Sequence, residues 1–106
     1  MRTLGSVARL FAAAGSAVVI LPALGATRTI TIEDMQFVPD VVTVKRGDHV
    51  VWLNKDLVPH TVTAAKVFDS GAITPGKSWR MSTVKPGRYD YVCTLHPTMK
   101  ATLLVE

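Results

Sequence analysis

From Arg28 onward, short runs rich in Val, Thr, Ile and aromatic residues alternate with Gly and Pro punctuation, and no stretch sustains a 3.6-residue apolar repeat. This pattern predicts an all-β chain. Candidate strands span residues 28–32, 41–45, 49–54, 60–64, 78–83, 87–93 and 100–105. Strands this short, separated by turn signals, predict a single Greek-key β-sandwich of about seven to eight strands. Val42 and Val44, Val50 and Trp52, and Tyr89, Tyr91 and Cys93 occupy alternate positions, so each set faces inward from its strand. Pro75-Gly76 and Pro86-Gly87 suit the central positions of type II turns, where Pro sets φ and Gly accepts a positive value. Gly47-Asp48 marks a further reversal, read as a hairpin that His49 opens.

The opening of the chain has a different pattern. Arg2 and Arg9 are its only charges, an apolar run from Leu10 to Leu21 follows, and small residues close it at Ala23-Leu24-Gly25-Ala26. This is the layout of a secretory leader, and the run is shorter than the roughly 20 residues a membrane span needs. Residues 1–26 are therefore expected to be removed on export, leaving 27–106 as one periplasmic domain. A cut after Gly25 puts Ala23 and Gly25 at the small-residue positions, whereas a cut after Ala26 puts Leu24 at one of them.

Composition and charge then narrow the function. The chain has 106 residues, 48% hydrophobic and 19% charged, which suits one globular core and no disordered segment. The formal charge of +4 comes partly from the leader, since Arg2 and Arg9 are two of twelve basic residues. Ten basic residues face eight acidic ones in the remainder, so a nucleic-acid binder is not supported. A single cysteine, Cys93, closes no internal disulfide, and a free thiol in an oxidising compartment calls for burial or a ligand.

The segment Cys93-Thr94-Leu95-His96-Pro97-Thr98-Met99 spaces a thiol, an imidazole and a thioether with two residues between each pair. A thiolate with two imidazoles and a weak axial thioether is the donor set of blue-copper centres. Zinc would need four strong donors, and covalent haem a second cysteine, neither of which is at hand. The second imidazole is assigned to His60, after Pro59 at a strand entry. His49 is read as an ordinary polar residue. Met35 is not counted as a ligand, since a core methionine reads as well.

These motifs, with Val44-Lys45-Arg46-Gly47-Asp48 and Val51-Trp52-Leu53-Asn54, resemble the plastocyanin and azurin family of cupredoxins, above all its short amicyanin-type members. Phe68-Asp69-Ser70-Gly71 and Pro86-Gly87-Arg88-Tyr89 add turns of the same kind. The resemblance runs over residues 28–106. It implies one copper ion on His60, Cys93 and His96, with Met99 as the weak axial donor. It also implies single-electron transfer, with no enzymatic activity of the chain's own, through the His96 edge to transient redox protein partners. Leu57, Val58, Pro59, Leu95 and Pro97 are the expected apolar rim, on a monomer with no membrane contact after leader removal. The family often has Asn after the first histidine, where its side chain ties the two ligand loops. Here that residue is Thr61, whose backbone N–H remains available to the Cys93 sulfur. Copper delivery or storage with the same ligands is the alternative, disfavoured by the absence of Met-rich or His-rich tracts.

Overall fold

A computed structural model describes residues 16–19 and 25–106, so the expected leader falls largely outside the described residues. Nine strands follow in order: β1 (Thr27–Glu33), β2 (Gln36–Val38), β3 (Val41–Val44), β4 (His49–Asn54), β5 (Thr63–Ala64), β6 (Phe68–Asp69), β7 (Ser78–Ser82), β8 (Gly87–Cys93) and β9 (His96–Val105). No helix occurs among the described residues, as the absence of helical periodicity implies. The strands form two sheets, β2-β1-β4-β7 and β3-β9-β8-β5-β6. β1 runs parallel to β4 and β3 parallel to β9, because the connections between them cross from one sheet to the other.

The alternation along the strands fills the space between the sheets. Val42 and Val44 on β3, Val50 and Trp52 on β4, and Tyr91 and Cys93 on β8 are all buried, and Tyr89 packs against them partly exposed. β9 contributes Met99, Ala101, Leu103 and Val105 from one face. Trp52 and Tyr91 meet across the sandwich, edge to face at 5.7 Å, with the indole Nε1 donating to the phenol oxygen at 3.1 Å. That bond satisfies two polar atoms that burial would otherwise leave unpaired.

Several local readings change. Thr74-Pro75-Gly76-Lys77 is a type II turn, with Gly76 at φ 79° and Lys77 N donating to Thr74 O at 3.0 Å. Pro86-Gly87 is not, because Gly87 at φ 154° already pairs with Val105 as the first residue of β8. The reversal at Gly47 joins β3 to β4 in different sheets, so it is a crossover and not a hairpin. Asp48 braces it by accepting from Lys45 N and Ala26 N, both at 2.9 Å. These two backbone donors hold the Asp48 carboxyl below the usual carboxylate range. Two strands were not expected: β2, which pairs with β1, and β6, which pairs with β5 where only a turn was read.

Candidate metal centre

The site is built where three connections meet at one end of the sandwich. β8 ends at Cys93 and β9 begins at His96, and these two residues pair directly, so Thr94-Leu95 is a two-residue hairpin turn. The second strand thus starts four residues before the predicted position 100. His60 precedes β5 and does not belong to it. An isolated bridge to Ile73 holds its backbone, with His60 N donating to Ile73 O at 3.1 Å and Ile73 N donating to His60 O at 2.7 Å.

These connections gather the three strong donors named from the sequence. One ligand atom each of His60, Cys93 and His96 lie within 4.8 Å of one another. The Cys93 sulfur is 3.6 Å from His60 Nδ1 and 3.7 Å from His96 Nδ1. Bond lengths of roughly 2.0 Å to nitrogen and 2.3 Å to sulfur would separate such donors by about 3.6–3.8 Å around a shared ion. The geometry therefore fits a single small metal ion. Cys93 and His60 have no exposed surface, while His96 is half-buried, and the two rings stand 5.0 Å apart. Met99 is 4% exposed and sits on the inward face of β9, three residues beyond His96.

Other side chains fix this geometry. Thr61 N donates to the Cys93 sulfur at 3.3 Å, as its position after His60 suggested. The Thr61 hydroxyl accepts from Thr94 N at 2.9 Å, so the threonine side chain itself links the two ligand loops. Asn54 is fully buried at the end of β4. Its Nδ2 donates to Val58 O and Ile73 O, and its Oδ1 accepts from Asp56 N, which shapes the loop leading to His60.

Sequence reasoning missed Asp56. Its Oδ2 lies 2.8 Å from His60 Nε2, and the carboxyl also accepts from Asp34 N and Met35 N at 2.7 and 2.9 Å. A carboxylate accepting from Nε2–H leaves the Nδ1 lone pair facing the sulfur and a metal. Burial raises the Asp56 carboxyl, but the Met35 N–H, the His60 ring and the Asp34 N–H outweigh it and leave it lowered. The only sequence signal was its place four residues before His60. Met35 is 41% exposed in the β1–β2 turn and is not a core residue. His49 lies outside the donor cluster, with its Nδ1 3.0 Å from Ser82 Oγ.

Two packed sheets that present a buried thiol and two inward-turned imidazole nitrogens at one end define a class of small β-sandwich proteins with a soft-donor metal centre. The Cupredoxin-like domain profile matches residues 6–105, and the chain belongs to that family. It is 32% identical over 83 residues to amicyanin of Paracoccus versutus, covering 73% of this chain and 63% of that protein. It is 30% identical over 100 residues to amicyanin-alpha of Methylorubrum extorquens, covering 89% and 84%. Among solved structures, the Cu(I) form of an amicyanin variant superposes with a TM-score of 0.71 at 31% identity, over 80% of this chain and 86% of that one. A Cu-containing nitrite reductase from Thermus scotoductus also reaches 0.71 at 25% identity, over 86% of this chain but 24% of its own. The same sandwich is therefore similar to a small protein and to one part of a larger one.

Proposed function

We propose that residues 27–106 form a blue-copper electron carrier of the periplasm, working after a leader of residues 1–26 has been removed. The observation that carries this reading is the buried Cys93 sulfur with two imidazole Nδ1 atoms at 3.6 and 3.7 Å. His60, Cys93 and His96 are the strong donors and the buried Met99 thioether the weak axial one. This set suits copper, whose contribution when bound is a one-electron couple. Asp56 and Ile73 hold His60, the Thr94-Leu95 turn fixes Cys93 against His96, and burial keeps water from the sulfur. Donors held this way resist rearrangement when charge at the site changes by one unit.

The half-buried His96 ring is the donor nearest solvent and the route for electrons in this reading. Leu57 (93% exposed), Val58, Pro59, Leu95 and Pro97 offer apolar surface for brief contacts with redox protein partners. Ala26 N donates to Asp48 and its carbonyl accepts from His49 N, so a cut after Gly25, one residue earlier, is the one that keeps both bonds in the mature sandwich.

The test is to express residues 27–106, add Cu(II) and record the visible spectrum. An intense blue thiolate-to-copper band that ascorbate bleaches and an oxidant restores is expected, with the Cys93→Ala variant colourless and His49→Ala unchanged. A colourless wild type refutes the reading. Rapid transfer of the ion to an acceptor apoprotein, without electron exchange, favours copper delivery instead.

A further inference from the structure

Thr61, where the resembled family often has asparagine, carries a single side-chain proton able to hydrogen-bond. Two side chains contact its hydroxyl and a third lies one bond further out. Thr94 Oγ1 is 3.0 Å away, Thr63 Oγ1 is 3.0 Å away, and Thr63 Oγ1 is also 3.0 Å from Asp69 Oδ1. Asp69 in turn accepts from Gly71 N at 2.9 Å, and it faces Thr63 across the β5–β6 pair.

Counting protons gives this chain a direction. The one Thr63 proton is shared between the Thr61 oxygen and the Asp69 carboxylate, each 3.0 Å from Thr63 Oγ1. Thr63 O–H and Thr94 N–H then take both lone pairs of the Thr61 oxygen. The Thr61 proton is thereby left for Thr94 Oγ1, so the two threonines are joined by a reciprocal pair of bonds. The Thr63 and Thr61 hydroxyls are oriented from the Asp69 end, and the bond from Thr63 makes the Thr61 hydroxyl a better donor to Thr94.

We infer that Asp69, acting through Thr63, is a positioning residue that orients the Thr61 hydroxyl and so sets the tie between the His60 loop and the Cys93–His96 turn. None of Asp69, Thr63 or Thr61 touches the metal position with its side chain. Their effect passes through the Thr94 backbone, which is bonded to Cys93, and through Thr61 N, which points at the sulfur. An N–H directed at a thiolate withdraws charge from it, so slackening the tie lowers the reduction potential of the site. This inference rests on the copper reading for that potential but not for the hydrogen-bond chain itself.

The experiment uses Thr63→Val, which keeps the branched shape in a half-buried strand, and Thr63→Ser, which keeps the hydroxyl. In copper-free protein, amide hydrogen exchange at Thr94 is expected to be roughly three- to tenfold faster in Thr63→Val than in wild type, the worth of one weakened bond. Thr63→Ser should match wild type. In a Thr61→Val background, adding Thr63→Val should change nothing further at Thr94. After copper loading, Thr63→Val should lower the potential and Thr63→Ser restore it. Unchanged Thr94 exchange in Thr63→Val overturns the relay, as does an equal acceleration of all amides in β5 and β8, which would mark general loosening. If the protein takes up no copper, the exchange measurements still decide the relay, and only the copper reading fails.

Discussion

Replacing Asn54 with alanine removes one side chain and three hydrogen bonds. The amide donates to Val58 O at 2.8 Å and Ile73 O at 2.9 Å and accepts from Asp56 N at 2.9 Å. The bond to Ile73 lies in the interior, and the other two are partly buried. Ile73 O keeps a second donor in His60 N, so it is not left orphaned. At about 1 kcal/mol per bond, the substitution costs about 3 kcal/mol. The whole domain is worth roughly 4–12 kcal/mol at this size, so the loss is a large share of it. Urea denaturation of copper-free protein reads it directly. With a slope of about 1 kcal/mol per molar for so small a domain, the midpoint falls by about 3 M at constant slope. Asn54→Asp separates the bonds: it keeps the oxygen for Asp56 N but aims an acceptor at two carbonyls. That variant should be at least as unstable as the alanine one at pH 7. The introduced carboxyl has its folded pKa raised, so the penalty relative to wild type shrinks as pH falls and that carboxyl takes up a proton. A loss under about 1 kcal/mol for alanine, or an aspartate penalty that grows towards acid, would refute the idea that the His60 loop is held by this amide.

Two further perturbations concern pH. Burial pushes the Tyr91 phenol up to about 12 despite the Trp52 N–H, so stability is intact below the unfolded value near 10 and lost as pH rises from 10 to 12. Tyr91→Phe should flatten thermal stability across that window, removing a fall of about 2–3 kcal/mol, and an unchanged alkaline fall would contradict the burial argument. The Asp48 carboxyl is lowered by the Lys45 and Ala26 backbone donors, so its contribution is present above the unfolded value near 4 and disappears as pH drops through the folded one. Asp48→Asn should reduce the acid sensitivity of thermal unfolding between pH 5 and 2; identical acid slopes in both proteins would show that the bracing of the β3–β4 crossover has no charge component.

How much was legible beforehand depended on whether a feature had a local signature. Val50-x-Trp52 and Tyr89-x-Tyr91-x-Cys93 show their inward faces because strand alternation repeats every two residues. The Cys93, His96 and Met99 spacing was legible because all three occupy one hairpin. β2 was hidden because its turn, Asp34-Met35, holds positive φ of 55° and 59° without a glycine. The Asp56 carboxylate stabilises that turn from another loop by accepting both of its N–H groups. β6 is only two residues long, and its partner β5 shares a single register pair with β8. The early start of β9 follows from the direct Cys93–His96 pair, which no propensity indicates. Thr61 was flagged as a departure, but its part in a four-residue hydrogen-bond chain depends on Asp69, eight residues away, and Thr94, thirty-three residues away.

The sheet orders also govern when the molecule can come together. β1 lies between β2 and β4, and β9 lies between β3 and β8, so the earliest and latest strands are both interior ones. The first sheet cannot form without β1 nor the second without β9, and the pairing of β1 with β4 and of β3 with β9 joins segments far apart in sequence. Non-local pairings of this kind form slowly. A chain emerging from synthesis would accordingly complete its second sheet only once β9 is free, which postpones assembly of the Cys93–His96 turn to the final stage of folding.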